Sequence, residues 1–306
     1  MNRLSANISL YIITFFSAIQ YVFLANVPDT VSTFAFLSVT NLIGFLIMLC
    51  AFFGELRRLD KKQIHQSAVL SLELLGFNVF LLLGSRGTEA SVVACVLSSY
   101  FAFIVLISFL VFHQKPEKCK VVGVTVMLAG VYMMMDANLS ELLQIHILYL
   151  IIADVFFALY LLSAEKYATS SNPALLAMGQ AFFNFLITTV IWAVQSMIQH
   201  TPISLPDEPA FWGSVFFISF FIRGLYGIVQ IYAQRYVSPL NVSLIFSTEI
   251  VMTLALSPVL SAVLGTKQEA FTVLKVAGAF VMIFGLLVTE EKVYHAIAGR
   301  FAHDAG

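Results

Sequence analysis

Charge is what this sequence has least of. Asp, Glu, Lys and Arg make up 11% of its 306 residues, where soluble domains carry roughly 25%. With 60% hydrophobic residues and a mean hydropathy of +0.92, the chain cannot clothe a water-facing surface and belongs in lipid. Its net charge of −1 excludes a broad basic face for nucleic acid. The three cysteines, Cys50, Cys95 and Cys119, form no C-x-x-C and read as free thiols. His65, His113, His146, His200, His295 and His303 fall in loops, helix ends or the tail, without metal-ligand spacing, so neither metal nor other cofactor is expected. The chain also lacks a G-x-x-x-x-G-K-[ST] loop for ATP, and it lacks the G-x-G-D, H-E-x-x-H and G-x-S-x-G patterns of membrane-embedded hydrolases. No loop is large enough for a soluble catalytic domain. An enzyme is therefore not expected.

What the chain does have is long apolar runs. A crossing needs about 20 apolar residues, and such runs predict an all-α integral membrane protein with ten transmembrane helices near 7–25, 31–53, 66–84, 89–112, 119–136, 145–164, 173–197, 211–234, 239–263 and 272–289. The first run is read as a retained helix, because no small-x-small cleavage site follows it. Lys and Arg set the orientation. With the N terminus inside, Arg3, Arg57, Arg58, Lys61, Lys62, Lys115, Lys118, Lys120, Lys166, Arg235, Lys292 and Arg300 face the cytoplasm, twelve in all, against three outside, Arg86, Lys267 and Lys275. Both termini are expected in the cytoplasm of a multi-pass protein of the cell (inner) membrane. Trp192 and Trp212 flank the outer loop 199–210, where an aromatic belt lies. After Glu291, Val293, Ile297 and Phe301 recur four apart, as a short amphipathic helix or a frayed end.

The chain repeats itself. VVGVTVMLAGVYMMM (121–135) resembles VAGAFVMIFGLLVTE (276–290), with Gly123 and Gly130 matching Gly278 and Gly285. Glycines seven apart share a helix face and admit a neighbouring backbone. Upstream, SRGTEASVVACVLSS (85–99) parallels QRYVSPLNVSLIFST (234–248). Five helices per unit is an odd number, so the second unit is expected upside down relative to the first. Inverted repeats are a signature of secondary transporters, with the site near the midplane between them. The expected division is residues 1–137 and 138–291 for the two five-helix repeats, and 292–306 for a cytoplasmic tail.

These hairpins resemble those of the EamA-type drug/metabolite transporter superfamily. In the second half, VLGTKQEAFTVLKVAGAFVMIFGLLV supplies Glu269, Thr272, Gly278 and Gly285 at the family's spacing, with Gly265 too far upstream for a clean Gly-Glu. In the first, Gln114 stands where the glutamate belongs and Glu117 where the Ser or Thr belongs. The first helix lacks the Trp-Gly often seen there. The resemblance implies a carrier of small metabolites, often an exporter, working by alternating access. On that ground, export of an amino-acid-like compound is expected, and the alternative is uptake or exchange of a nucleotide-like metabolite. The expected partners are a small-molecule substrate, the bilayer, and a coupling proton or an exchanged solute.

The ionisable residues inside predicted helices are Glu73, Asp154, Arg223 and Glu249. Counted from the nearer helix end, Glu73 lies about 10 Å deep, and Asp154, Arg223 and Glu249 lie roughly 14–18 Å deep in a core about 30 Å thick. An arginine there costs on the order of 3 kcal/mol on insertion scales. Two readings are open for Arg223: a fixed charge lining a polar site for an anionic group, or a structural ion pair with Asp154 or Glu249. Tyr226, Gln230 and Gln234 follow Arg223 along one face, Gln180, Asn184 and Thr188 recur every four residues on the seventh helix, and Tyr11 heads a polar side of the first that runs on through Gln20 and Tyr21. Arg223, Glu249, Asp154, Tyr226, Gln230, Gln180, Asn184 and Tyr11 are therefore the candidate substrate-binding residues. Glu249, Asp154 and Glu73 are candidates to load and release protons. Pro258 should kink the ninth helix one turn beyond Glu249. The phenylalanines, 29 of them, read mostly as lipid-facing filler.

Overall fold

A computed structural model describes every residue except 1, 26, 87, 114, 136–142, 201–204, 265–271, 292 and 296–306. Gln114, Gly265, Lys267 and Glu269, together with the tail positions Ile297, Arg300 and Phe301, lie outside the described residues. Helix occupies each of the expected stretches: α1 (Arg3–Ala25), α2 (Thr33–Phe52), α3 (Lys61–Ser85), α4 (Ala90–Leu97), α5 (Tyr100–Phe112), α6 (Lys118–Met134), α7 (Ile145–Ser170), α8 (Pro173–Gln199), α9 (Pro209–Phe217), a π-helical segment (Ile218–Tyr226), α10 (Gly227–Ala233), α11 (Pro239–Phe246), α12 (Glu249–Leu264) and α13 (Val273–Val288). Eight of the helical stretches are long and apolar enough to cross a membrane. The two hairpin helices α6 and α13 are shorter, at 17 and 16 residues.

Local chemistry sets several ends. Asp60 and Gln63 form a reciprocal capping box that starts α3 five residues ahead of the expected 66, with Asp60 Oδ1 accepting from Gln63 N at 2.6 Å. Asn172 caps α8, with Pro173 next to it. His113 and His200 end α5 and α8 in the left-handed conformation, at φ 53° and 51°, a position usually given to glycine or asparagine.

Two stretches expected as single helices are interrupted at matching places. The α4–α5 break falls at Ser98–Ser99 and the α11–α12 break at Ser247–Thr248, the residues that the upstream repeat aligns. In each, the first serine turns back on the preceding helix: Ser98 Oγ donates to the Ala94 carbonyl, and Ser247 Oγ to that of Ser243, both at 2.8 Å. Such back-bonding competes with the helical ladder. The stretch with Arg223 departs differently. Nine residues, Ile218–Tyr226, wind as π-helix, and this rotates α10 relative to its place on a continuous α-helix. Pro258 lies inside α12, as expected.

Packing obeys a regular scheme. α3 packs on α7 and α1 on the π segment and α10; α3 packs on α8 and α2 on the π segment; α1 packs on α12 and α7 on α4 and α5; and α2–α8, α4–α12 and α6–α13 pack as pairs. The α6–α13 contact is backbone on backbone. A Cβ on Gly130 would lie 2.7 Å from the Gly278 carbonyl, and one on Gly278 would lie 2.8 Å from that of Gly130; Gly123 and Gly285 face each other in the same way, at 2.6 and 2.8 Å. As one number rises the other falls, so the pair runs antiparallel.

Outward faces carry large apolar side chains: Leu4, Ile8, Ile12 and Phe15 on α1, and Phe280, Phe284 and Leu287 on α13. In a protein that crosses lipid such a belt is ordinary. The phenylalanines are not all filler, however. Phe36, Phe101, Phe211 and Phe246 are fully buried, and Phe16–Phe221 and Phe23–Phe217 stack between α1 and the α9–π stretch at 4.4 and 4.6 Å. Rings fill the irregular gaps left by interrupted helices better than aliphatic chains do.

Candidate functional site

A narrow cavity lies among α1, α2, α3, α8, the π segment, α10 and α12. Ser17, Gln20 and Tyr21 reach it from α1, Asn41 from α2, Asn78 from α3, Gln180 and Asn184 from α8, Arg223 and Tyr226 from the π segment, Gln230 from α10, and Glu249 from the first position of α12. Its free volume is ≈ 50 Å³, well under the ~150 Å³ that takes up benzene in an engineered cavity. A metabolite must therefore widen it.

At one end the polar groups are satisfied. Ser17 Oγ donates to Glu249 Oε1 at 2.9 Å, and Gln20 Nε2 donates to Ser17 Oγ at 2.7 Å. The Tyr21 hydroxyl also reaches this carboxyl group. Elsewhere several are not. Asn41 Nδ2, Asn78 Nδ2, Gln180 Oε1, Arg223 Nε and Gln230 Nε2 are buried without a hydrogen-bond partner, and all five side chains line this one cavity. Each such atom costs about 1–3 kcal/mol if nothing fills the space. Water or a ligand with complementary groups removes that cost.

Arg223 forms none of the ion pairs found among the described residues, so no structural pair with Asp154 or Glu249 is made. Its place depends on Gly44 of α2: a methyl there would overlap the Arg223 Cβ and sit 3.3 Å from its backbone carbon. Only glycine lets α2 approach the wide π turn so closely.

The expected residues divide. Arg223, Glu249, Tyr226, Gln230, Gln180 and Asn184 share the cavity lining. Asn184 Oδ1 accepts from Ser71 Oγ at 2.8 Å. Asp154 lies behind the wall, fully buried, with Oδ2 accepting from Ser99 Oγ at 2.6 Å. Glu73 binds Ser163 at 2.8 Å, also outside the cavity. Tyr11 is a correction. It is 46% exposed on the face of α1 that carries Ile8 and Phe15, because residues three and four away share its side, while Ser17 and Tyr21 point inward. Gln234 turns away and donates to the Leu161 carbonyl at 3.3 Å. Sequence reasoning missed Asn41, Asn78, Tyr100 and Tyr160. The asparagines carried a readable signal, because an amide inside an apolar run is expensive wherever it lacks a partner.

Hydrogen bonds also join α2, α3, α8 and the residues that flank them, at both ends of the α2–α8 pair. On one side Ser38 and Thr189 bond at 2.6 Å and Ser32 donates to Gln195 at 2.8 Å. These bonds lie beneath an open hollow of ≈ 820 Å³ edged by Asp29, Arg86 and Trp192. On the other side Asn172 donates to Glu55 at 2.8 Å and Ser171 to Gln66 at 2.6 Å.

Comparison with known proteins adds the family. The EamA-like transporter family matches residues 4–136 and again 144–289. The chain belongs to the EamA-like transporter family. The two matches cover the two halves of this EamA-like protein and leave little else. A protein of Archaeoglobus fulgidus described as an uncharacterized transporter is 23% identical over 298 residues, spanning 96% of this chain and 88% of the relative. A protein of known crystal structure has the same fold, with a TM-score of 0.64 and 16% identity over 96% of this chain and 98% of the other. Among the described residues no group of His, Cys, Asp and Glu gathers as metal ligands.

Proposed function

We propose that this EamA-like protein is a ten-span secondary transporter of the cytoplasmic membrane, built of two inverted five-helix repeats, which exports a small amino-acid-like metabolite by alternating access. Several observations support the inverted arrangement. If the ten spans are numbered in order, the packing scheme survives exchange of each span with the one five places on, and the serine breaks and facing glycines obey the same exchange. Alternating access is supported by two separate sets of bonds, Ser32–Gln195 and Ser38–Thr189 at one end of the α2–α8 pair and Asn172–Glu55 and Ser171–Gln66 at the other, either of which could open while the other holds.

The observation that carries the substrate class is the uncompensated guanidinium of Arg223 beside the orphaned donors of Asn41, Asn78 and Gln230. Arginine and amide N–H groups converging without an acceptor fit a carboxylate, which takes up several donors at once. Glu249, held by Ser17, then faces the amino group at the other end of the same molecule.

A thermal-shift panel on the purified protein tests this reading. Bound ligand stabilises by about 2.7 kcal/mol at a hundred times its Kd. Amino acids should raise the melting temperature, their amides and decarboxylated analogues should not, and Arg223→Gln should abolish the response. A response to nucleotides that ignores the carboxylate would favour the nucleotide-like alternative and remove this assignment.

A further inference from the structure

Asp154, midway along α7, has no exposed surface and does not line the cavity. Its Oδ2 accepts from Ser99, in the α4–α5 break, while Oδ1 is buried with no partner. No ion pair among the described residues includes it. The groups that face it are the Cys95 thiol from α4 and the Tyr100 phenol from α5, neither of which brings a positive charge. On α3, Glu73 is bound to Ser163, further along α7. The helices α8, α10 and α11, which also touch α7, contain no charged residue.

A carboxylate held there without a cation costs several kcal/mol, whereas a proton on Oδ1 cancels the charge and leaves the Ser99 bond in place. Tyr100 lines the cavity, and its hydroxyl donates to the Ser243 carbonyl at 3.4 Å. We propose that Asp154, held by Ser99 at the α4–α5 break, is a proton-binding site separate from the substrate cavity. In the release step the O–H bond at Oδ1 breaks, the proton leaves to water, and the carboxylate stays bonded to Ser99. The use of this site for coupling rests on the transporter reading, but its existence is tested without any substrate.

The test is infrared spectroscopy of the full-length protein in lipid, with isotope-labelled aspartate, over a pH titration. Asp154 is the only fully buried aspartate among the described residues, so a labelled acid carbonyl band in an apolar environment reports on it. The expected result is a band present at low pH and reversibly lost as pH rises, absent from Asp154→Asn and retained in Glu249→Gln. Should Asp154→Asn fail to fold, the titration of labelled wild type decides alone. Absence of the band at every pH, a band that no pH removes, or its loss in Glu249→Gln would overturn the proposal. Failure of the Arg223 ligand assignment would leave the band unchanged, so the two ideas fail separately.

Discussion

Replacing Arg223 by leucine should make this protein more stable. The guanidinium makes no hydrogen bond or ion pair among the described residues, its Nε is buried without a partner, and it sits in the middle of an apolar helical stretch. Insertion scales charge about 2.5–3.5 kcal/mol for arginine at the centre of a membrane helix. Arg223 retains some contact with the cavity, and water there lowers the penalty, so a gain of about 1–3 kcal/mol is the expected range. The opposite model, a structural pair with Asp154 or Glu249, predicts a loss of about 3–5 kcal/mol, because a partner carboxylate would be stranded. Denaturant-driven unfolding in bicelles, for wild type, Arg223→Leu, Glu249→Gln and the double variant, separates the two. Near-zero coupling between the substitutions is expected. Destabilisation of Arg223→Leu, or a coupling above about 1 kcal/mol, would refute the reasoning.

Other outcomes rest on the packing and the bonds. Gly130→Val should destabilise by about 1–3 kcal/mol through overpacking against Gly278 and Met282, read as a lower unfolding midpoint. Gly44→Ala should displace Arg223 and weaken ligand-induced thermal shifts while leaving the helical content in circular dichroism unchanged. Cysteines at Ser38 and Thr189, whose hydroxyls are 2.6 Å apart, should form a disulfide on oxidation, seen as a mobility change on a non-reducing gel, that blocks flux into vesicles and is relieved by reductant. Tyr11→Ala, on the outer face of α1, should bind ligand as wild type does in the thermal-shift assay.

Much of this was readable in the residues because lipid leaves few options. Each long apolar run became helix, and the glycines at 123, 130, 278 and 285 admit a neighbouring backbone as expected, the structure adding that they face one another. Arg223 drew attention by its cost alone, and six of the eight proposed binding residues share the cavity lining. Three things escaped for definable reasons. The breaks at Ser98–Ser99 and Ser247–Thr248 left hydropathy unaltered, since short hydroxyl residues sit comfortably in apolar runs and reveal themselves only by back-bonding. The π winding at Ile218–Tyr226 goes with the close approach of Gly44 on α2, a tertiary relation absent from local spacing. Tyr11 misled because a polar stripe on an isolated helix does not say where the stripe ends; the side chains of Ile12 and Phe15 mark lipid on that flank.

The glycine contacts of α6 and α13 have one more consequence. Two backbones this close, with residues interlocked at two levels a full two turns apart, resist sliding and tilting alike. They act as a dovetail joint, and the rearrangement that the proposed alternating access calls for would take place against this seam. Because the seam needs no covalent link to hold its register, the halves carry their own instruction for finding each other. Two polypeptides severed between residues 137 and 138 and expressed together should rejoin along it.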